Sequence, residues 1–92
     1  MTRVVNIRKE QCDVYIGRAG HGEDGYFGNP YNGRSMRENI DSFRIYFYGR
    51  INSVPEFKRR VLELRGKRLG CFCKPASCHG DVIVEYLDRE PV

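Results

Sequence analysis

No apolar run in this chain approaches the roughly 18 residues of a membrane span, so no transmembrane helix is expected. No signal peptide is expected either, because Met1-Thr2-Arg3 leads straight into a short strand-like run. The glycine-lysine motif of Walker nucleotidases is missing, and so is the G-x-G-x-x-G of dinucleotide folds; Gly17-Arg18-Ala19-Gly20 is too loose a match. The C-x5-R loop of cysteine phosphatases fails because position 84 is Val. There is no internal repeat and no composition shift that would mark a boundary, so residues 1–92 are read as one α/β domain.

With 92 residues the chain bounds a single small core. Six tyrosines and five phenylalanines supply much of it, while 30% charged residues keep the mean hydropathy low. The net charge of +4 favours anionic partners: nucleic acid, nucleotides or phosphorylated metabolites. Four cysteines would suit two disulfides in a secreted protein, but Cys71 and Cys73 alternate along one strand, a poor geometry for bridging each other. Free thiols and a cytoplasmic location are therefore expected.

Val4 to Ile7 and Asp13 to Ile16 read as short strands, joined by residues 8–12 as a hairpin or a wider link. Six of the ten glycines then fall in a long segment from Gly17 to Arg34, and a loop of that length is usually functional or disordered. The first helix is expected from a Ser35–Glu38 capping box, with Met36, Ile40, Phe43 and Phe47 on one face and Gly49 as its stop. The second has Ser53 as cap, Pro55 in the first turn, Phe57, Val61 and Leu64 inward, and Gly66 at the end. Leu69 to Cys73 reads as a strand buried on both faces, and a last helix from about His79 to Asp88 buries Val82, Ile83, Tyr86 and Leu87. The order β-β-α-α-β-α predicts a small two- or three-layer domain with a short, partly parallel sheet of three to four strands and three helices.

Ligands of such folds sit beyond the carboxyl ends of the strands. Here those ends are Ile16-Gly17-Arg18 and Cys73-Lys74-Pro75, and Cys78, His79, Gly80 and Asp81 open the last helix. One reading is an anion site in which helix N–H groups, Arg18 and Lys74 meet a phosphate and Gly80 lets the ligand approach the backbone. A second is a zinc site from Cys71, Cys73, Cys78 and His79, although residues 71 and 73 sit about 7 Å apart on one strand face; no metal and no cofactor is the expectation. A third is catalysis, with Cys78 as nucleophile and His79 or Asp81 as acid or base. A fourth is nucleic-acid binding through Lys58, Arg59, Arg60, Arg65, Lys67 and Arg68 of the second helix and its exit, with Tyr31, Tyr46 and Tyr48 available for stacking.

The motifs Val4-Val5-Asn6, Val14-Tyr15-Ile16-Gly17-Arg18, Gly28-Asn29-Pro30 and the closing Leu69 to Asp81 resemble the domain of unknown function family 4326, small bacterial, archaeal and phage proteins. A more distant likeness is to a second uncharacterised family that opens the corresponding helix with Cys-His-Arg. The resemblance implies a compact α/β fold of nucleotide-handling type. It marks Arg18, Asn29, Pro30, Cys71, Cys73, Lys74, Pro75, Cys78, His79 and Asp81, and Phe72 stands where that family often has Trp. The leading expectation is binding of a nucleotide or related phosphorylated small molecule between the 17–34 loop and residues 78–81, for instance phage-encoded sequestration of a nucleotide signal. The alternatives are an enzyme cleaving N-glycosidic or phosphoester bonds and a zinc-stabilised nucleic-acid-binding module.

Overall fold

A computed structural model describes residues 1–18, 20, 22–23, 25–30, 35–72 and 78–89. The elements run β1 (Arg3–Asn6), β2 (Val14–Tyr15), α1 (Met36–Ser53), α2 (Pro55–Leu62), β3 (Arg68–Cys71) and α3 (Gly80–Arg89). The sheet has the order β1-β3-β2, and both pairings are parallel. Residues 8–12 therefore form no hairpin: β1 and β2 flank β3 instead of pairing with each other. Asp13 N–H donates to the Arg68 carbonyl and Ile16 N–H to that of Gly70, which carries the β2 register past both ends of the strand.

Side chains alternate along β3. Leu69 and Cys71 join the core formed with the helices. Gly70 faces the other way, where Ile7 and Cys12 of the β1–β2 link lie within van der Waals reach of its α-carbon. Phe72 is half exposed, so the strand is not buried to its end.

Ser35 caps α1, its hydroxyl accepting from Glu38 N–H at 3.1 Å. Phe43, Phe47 and Ile51 are the buried face of that helix, whereas Met36 at its start is 47% exposed and is not a core residue. Gly49 does not stop the helix. Ile51 carries the apolar stripe one turn further, and Ser53 hydroxyl donates back to the Gly49 carbonyl. The break comes at Val54 (φ −122°, ψ 97°), because the ring of Pro55 disfavours helical backbone at the preceding residue. Ser53 is thus the last residue of α1 and not the cap of α2. Phe57, Val61 and Leu64 are buried as their spacing predicts, and the chain turns at Gly66 with a φ of +81°. In α3, Val82, Ile83, Tyr86 and Leu87 all face inward. Phe47 sits at the centre of an aromatic cluster, with the rings of Phe43, Tyr48, Phe57 and Tyr86 each 5.4 to 5.7 Å away.

Candidate functional site

Residues 78–81 begin where β3 has delivered the chain to the carboxyl edge of the sheet, and they are mostly interior. Cys78, His79 and Gly80 are buried; Asp81 is partly exposed. Asp81 carboxylate reaches back to accept from Cys78 N–H at 3.2 Å, half of a capping box. That bond takes up one N–H of the helix N-terminus, and the Asp81 charge weighs against a phosphate beside it.

Gly80 is glycine for a different reason than ligand access. A β-carbon there would stand 2.7 Å from Ile16 Cδ1, 2.9 Å from Val4 Cγ2 and 3.3 Å from Cys78 Sγ. The missing side chain lets the first turn of α3 lie against β1 and the end of β2. Gly28 plays a similar part in the loop, since a β-carbon on it would meet Gly17 O at 2.6 Å and Arg18 Cα at 3.1 Å. The 25–30 segment is thereby pressed onto the end of β2. Asn29 is buried, and its Nδ2 donates to the Asn39 carbonyl at 3.0 Å, tying the same segment to α1. Pro30 is exposed.

His79 Nε2 donates to the Ile16 carbonyl at 2.6 Å, and its ring stands edge-on to Phe43 at 5.0 Å. This bond fixes the tautomer with the proton on Nε2. Burial pushes the imidazole below the ordinary histidine range and Arg18 adds to that, while the Ile16 carbonyl and Asp81 act against it. A neutral imidazole holding a backbone carbonyl is a positioning group, not an exposed acid or base.

Cys78 Sγ lies 3.4 Å from Cys71 Sγ in the interior. The neighbouring thiol and burial push the Cys78 thiol strongly up, the opposite of what an attacking thiolate requires. Covalent catalysis by Cys78 is therefore set aside. Alkylation of the native protein should label Cys78 far more slowly than alkylation of the urea-unfolded chain. Peptide mass spectrometry after timed iodoacetamide treatment checks this, and equal rates would contradict the burial.

For the zinc set, Cys71 and Cys78 come together, His79 spends its Nε2 on a carbonyl, and Cys73 lies outside the described residues, as does Lys74. No group of three or more metal-ligating side chains gathers among the described residues. Arg18 is exposed at the carboxyl edge, where Tyr15 hydroxyl donates to its carbonyl at 3.2 Å. Beside it Arg8 guanidinium lies over the exposed ring of Phe72 at 5.2 Å, and Tyr15 meets that ring edge-on.

A groove of about 550 Å³ does open between the start of α1 and the first turn of α3. It is lined by Met36, Arg37, Ile40, Asp41, Arg44 and Asp81. Of the residues expected to bind a ligand it includes only Asp81, and no residue of the 17–34 loop lines it; its other walls are α1 residues. The readable signal was Met36: it extends the apolar stripe of α1 one turn beyond what the core covers. Arg44 is ion-paired with Glu85 of α3, which braces the groove. Arg37 has no carboxylate partner among the described residues. A second groove lies on the other side of Asp81, between β1 and α3, and is lined by Thr2, Arg3, Val4, Val84, Glu85, Asp88 and Arg89 as well.

Comparison with known proteins places these features in a family. The model of a family described as Domain of unknown function (DUF4326) matches residues 1–89. A protein of Enterobacteria phage T4, described as an uncharacterized 12.4 kDa protein in the nrdA-td intergenic region, is 40% identical over 92 residues, which covers 97% of this chain and 80% of the phage protein. No solved structure matches.

Proposed function

The chain belongs to the family of the domain of unknown function DUF4326, and from its α1–α3 groove we propose that it binds a nucleotide or related phosphorylated small molecule. The observation that carries this reading is the composition of the groove. An apolar floor of Met36 and Ile40 lies beside one cation without a carboxylate partner, Arg37, and two carboxylates, Asp41 and Asp81. Met36 and Ile40 offer a surface for a flat heterocycle. Arg37 stands in the first turn of an 18-residue helix, where its charge and the helix dipole both favour a phosphate. Asp41 and Asp81 accept hydrogen bonds from sugar hydroxyls or base N–H groups. The volume lies within the usual range for small-molecule sites, roughly 300–1,000 Å³.

The likeness to a phage protein fits a phage setting, in which the bound nucleotide would be sequestered in an infected cytoplasm, and the free thiols of Cys12 and Cys78 fit a reducing compartment. No helix among the described residues is long and apolar enough to cross a membrane. Turnover of the bound molecule would fall to Asp41 and Asp81, because His79 and Cys78 are committed to the interior.

Calorimetric titration with mono-, di- and triphosphates of the common nucleosides tests the reading. Arg37→Ala and Met36→Ala should each weaken binding about tenfold, roughly 1.4 kcal/mol. Their stability should stay within about 0.5 kcal/mol of wild type, as for exposed positions generally. A panel without a binder, or affinities untouched by both substitutions, would refute the proposal.

A further inference from the structure

On the opposite half of the helical layer, two arginines from different helices converge on one loop residue. Arg60 of α2 lies 3.8 Å from the ring centre of Tyr26 and 5.7 Å from that of Phe27. Arg50, in the last turn of α1, lies 3.9 Å from the ring centre of Phe57, 5.4 Å from Tyr26 and 5.5 Å from Tyr46, and its Nη1 donates to Tyr46 hydroxyl at 2.9 Å. Because both guanidinium groups are measured from the same Tyr26 ring, they can be no further apart than the sum of those two distances.

Neither arginine has a carboxylate partner among the described residues. The acidic side chains of α2 and its exit are spent on their neighbour: Arg59 is ion-paired with both Glu56 and Glu63. Two like charges are thus held near one ring by aromatic groups and, for Arg50, the Tyr46 hydroxyl, with Lys58 exposed on the same helix as Arg60. Aromatic rings stiffen a guanidinium and leave its N–H edge free to fork an anion. A phosphodiester strand passing over both converts mutual repulsion into attractions, and a guanidinium plane accepts a stacked base.

We propose that Arg50 and Arg60, braced by Tyr26, Tyr46 and Phe57, form a binding site for the phosphodiester backbone of single-stranded nucleic acid. The site shares no residue with the α1–α3 groove, so either can fail without the other. It also differs from a general basic face, because it depends on two particular arginines and excludes Arg59, the better paired one.

Fluorescence anisotropy with a short labelled oligothymidylate, across a salt series, tests this. Arg60→Ala should weaken binding about tenfold and reduce the slope of log affinity against log salt by about 0.7, the loss of one phosphate contact on a single strand. Arg50→Ala should act in the same direction. Arg59→Ala should change affinity less than about twofold. Thermal unfolding of each variant confirms that it is folded; if Arg50→Ala is not, Arg60→Ala against Arg59→Ala decides alone. Equal losses for Arg59→Ala and Arg60→Ala would overturn the proposal, as would absence of oligonucleotide binding by the wild type at low salt. Competition by inorganic phosphate as effective as by unlabelled oligonucleotide, per phosphate, would reduce the site to one for small anions and overturn it too.

Discussion

A Gly80→Val chain should lose about 3 kcal/mol of stability, the upper part of the usual overpacking range, and much of the marginal stability of a domain this small. The loss follows from where the glycine sits. Its α-carbon faces Ile16, which has no exposed surface, and Val4 of the neighbouring strand. A β-carbon alone would be closer to both than ordinary packing permits, and the two methyl groups of valine would have to displace them. Ile16 cannot move far, because its side chain is fully enclosed by the core. Gly80→Ala separates packing from backbone effects. Alanine gains about 1 kcal/mol of helix propensity over glycine and needs only small shifts of two side-chain ends. Its net cost should be about 1 kcal/mol, from a smaller overpacking term of about 2 kcal/mol less that gain. Urea unfolding of the three proteins measures the series. A valine variant as stable as wild type would show that α3 does not rest on β1 and β2 in this way. Loss of ligand binding by a folded valine variant would restore a ligand-contacting role for Gly80.

The glycine illustrates which parts of the molecule the sequence made legible. Helical faces were readable because burial repeats with the helix period: Phe57, Val61 and Leu64, and then Val82, Ile83, Tyr86 and Leu87, are all interior. The Ser35–Glu38 cap was readable because few residue pairs satisfy a helix start so locally. Helices between β2 and β3 favour a parallel pair, and that pair formed. The partner of β1 was not legible. Strands of four and two residues carry too little alternation to choose between a hairpin and two separate pairings with β3. Gly49 misled because a glycine inside a helix costs only about 1 kcal/mol, less than burying Ile51 returns.

The Cys78 to Asp81 segment was the harder case. Cysteine, histidine and aspartate are the residues of metal sites, active sites and anion cradles, and composition alone does not say which way they face. Cysteine also serves as a small interior residue, and histidine can hold a buried carbonyl. Both do so here. Topology pointed to the ends of the strands, where ligands of such folds gather, and of the residues expected there the α1–α3 groove shares Asp81 alone. The rest of its lining was not legible, because Met36 and Arg37 look like any exposed first turn until α3 is seen opposite.

The remaining large effect concerns the bond between His79 and Ile16. His79→Ala removes the donor to a buried carbonyl, which costs about 1–3 kcal/mol, and opens a void against the ring of Phe43. A total loss of about 3 kcal/mol is expected near neutral pH, the carbonyl and cavity terms together. The loss should also depend on pH in one direction. Burial holds the native imidazole below its ordinary range, with Arg18 pushing the same way and Asp81 against it. In the unfolded chain the same group takes up its proton near pH 6.5 or so. Below that pH the unfolded state binds a proton that the native state resists, so the contribution of His79 is complete above the unfolded value and declines as the pH falls beneath it. Carboxylates titrate lower. Glu10, Asp13 and Glu56 are held below their usual range by Arg3, Arg68 and Arg59, so their losses begin only at more acidic pH. His21 is common to both proteins and cancels in the difference. Urea unfolding of wild type and His79→Ala at a series of pH values should therefore give two stability curves that are far apart at neutral pH and approach each other in mild acid. Parallel curves would mean that His79 is not a buried neutral donor, and would reopen its candidacy as an acid or base.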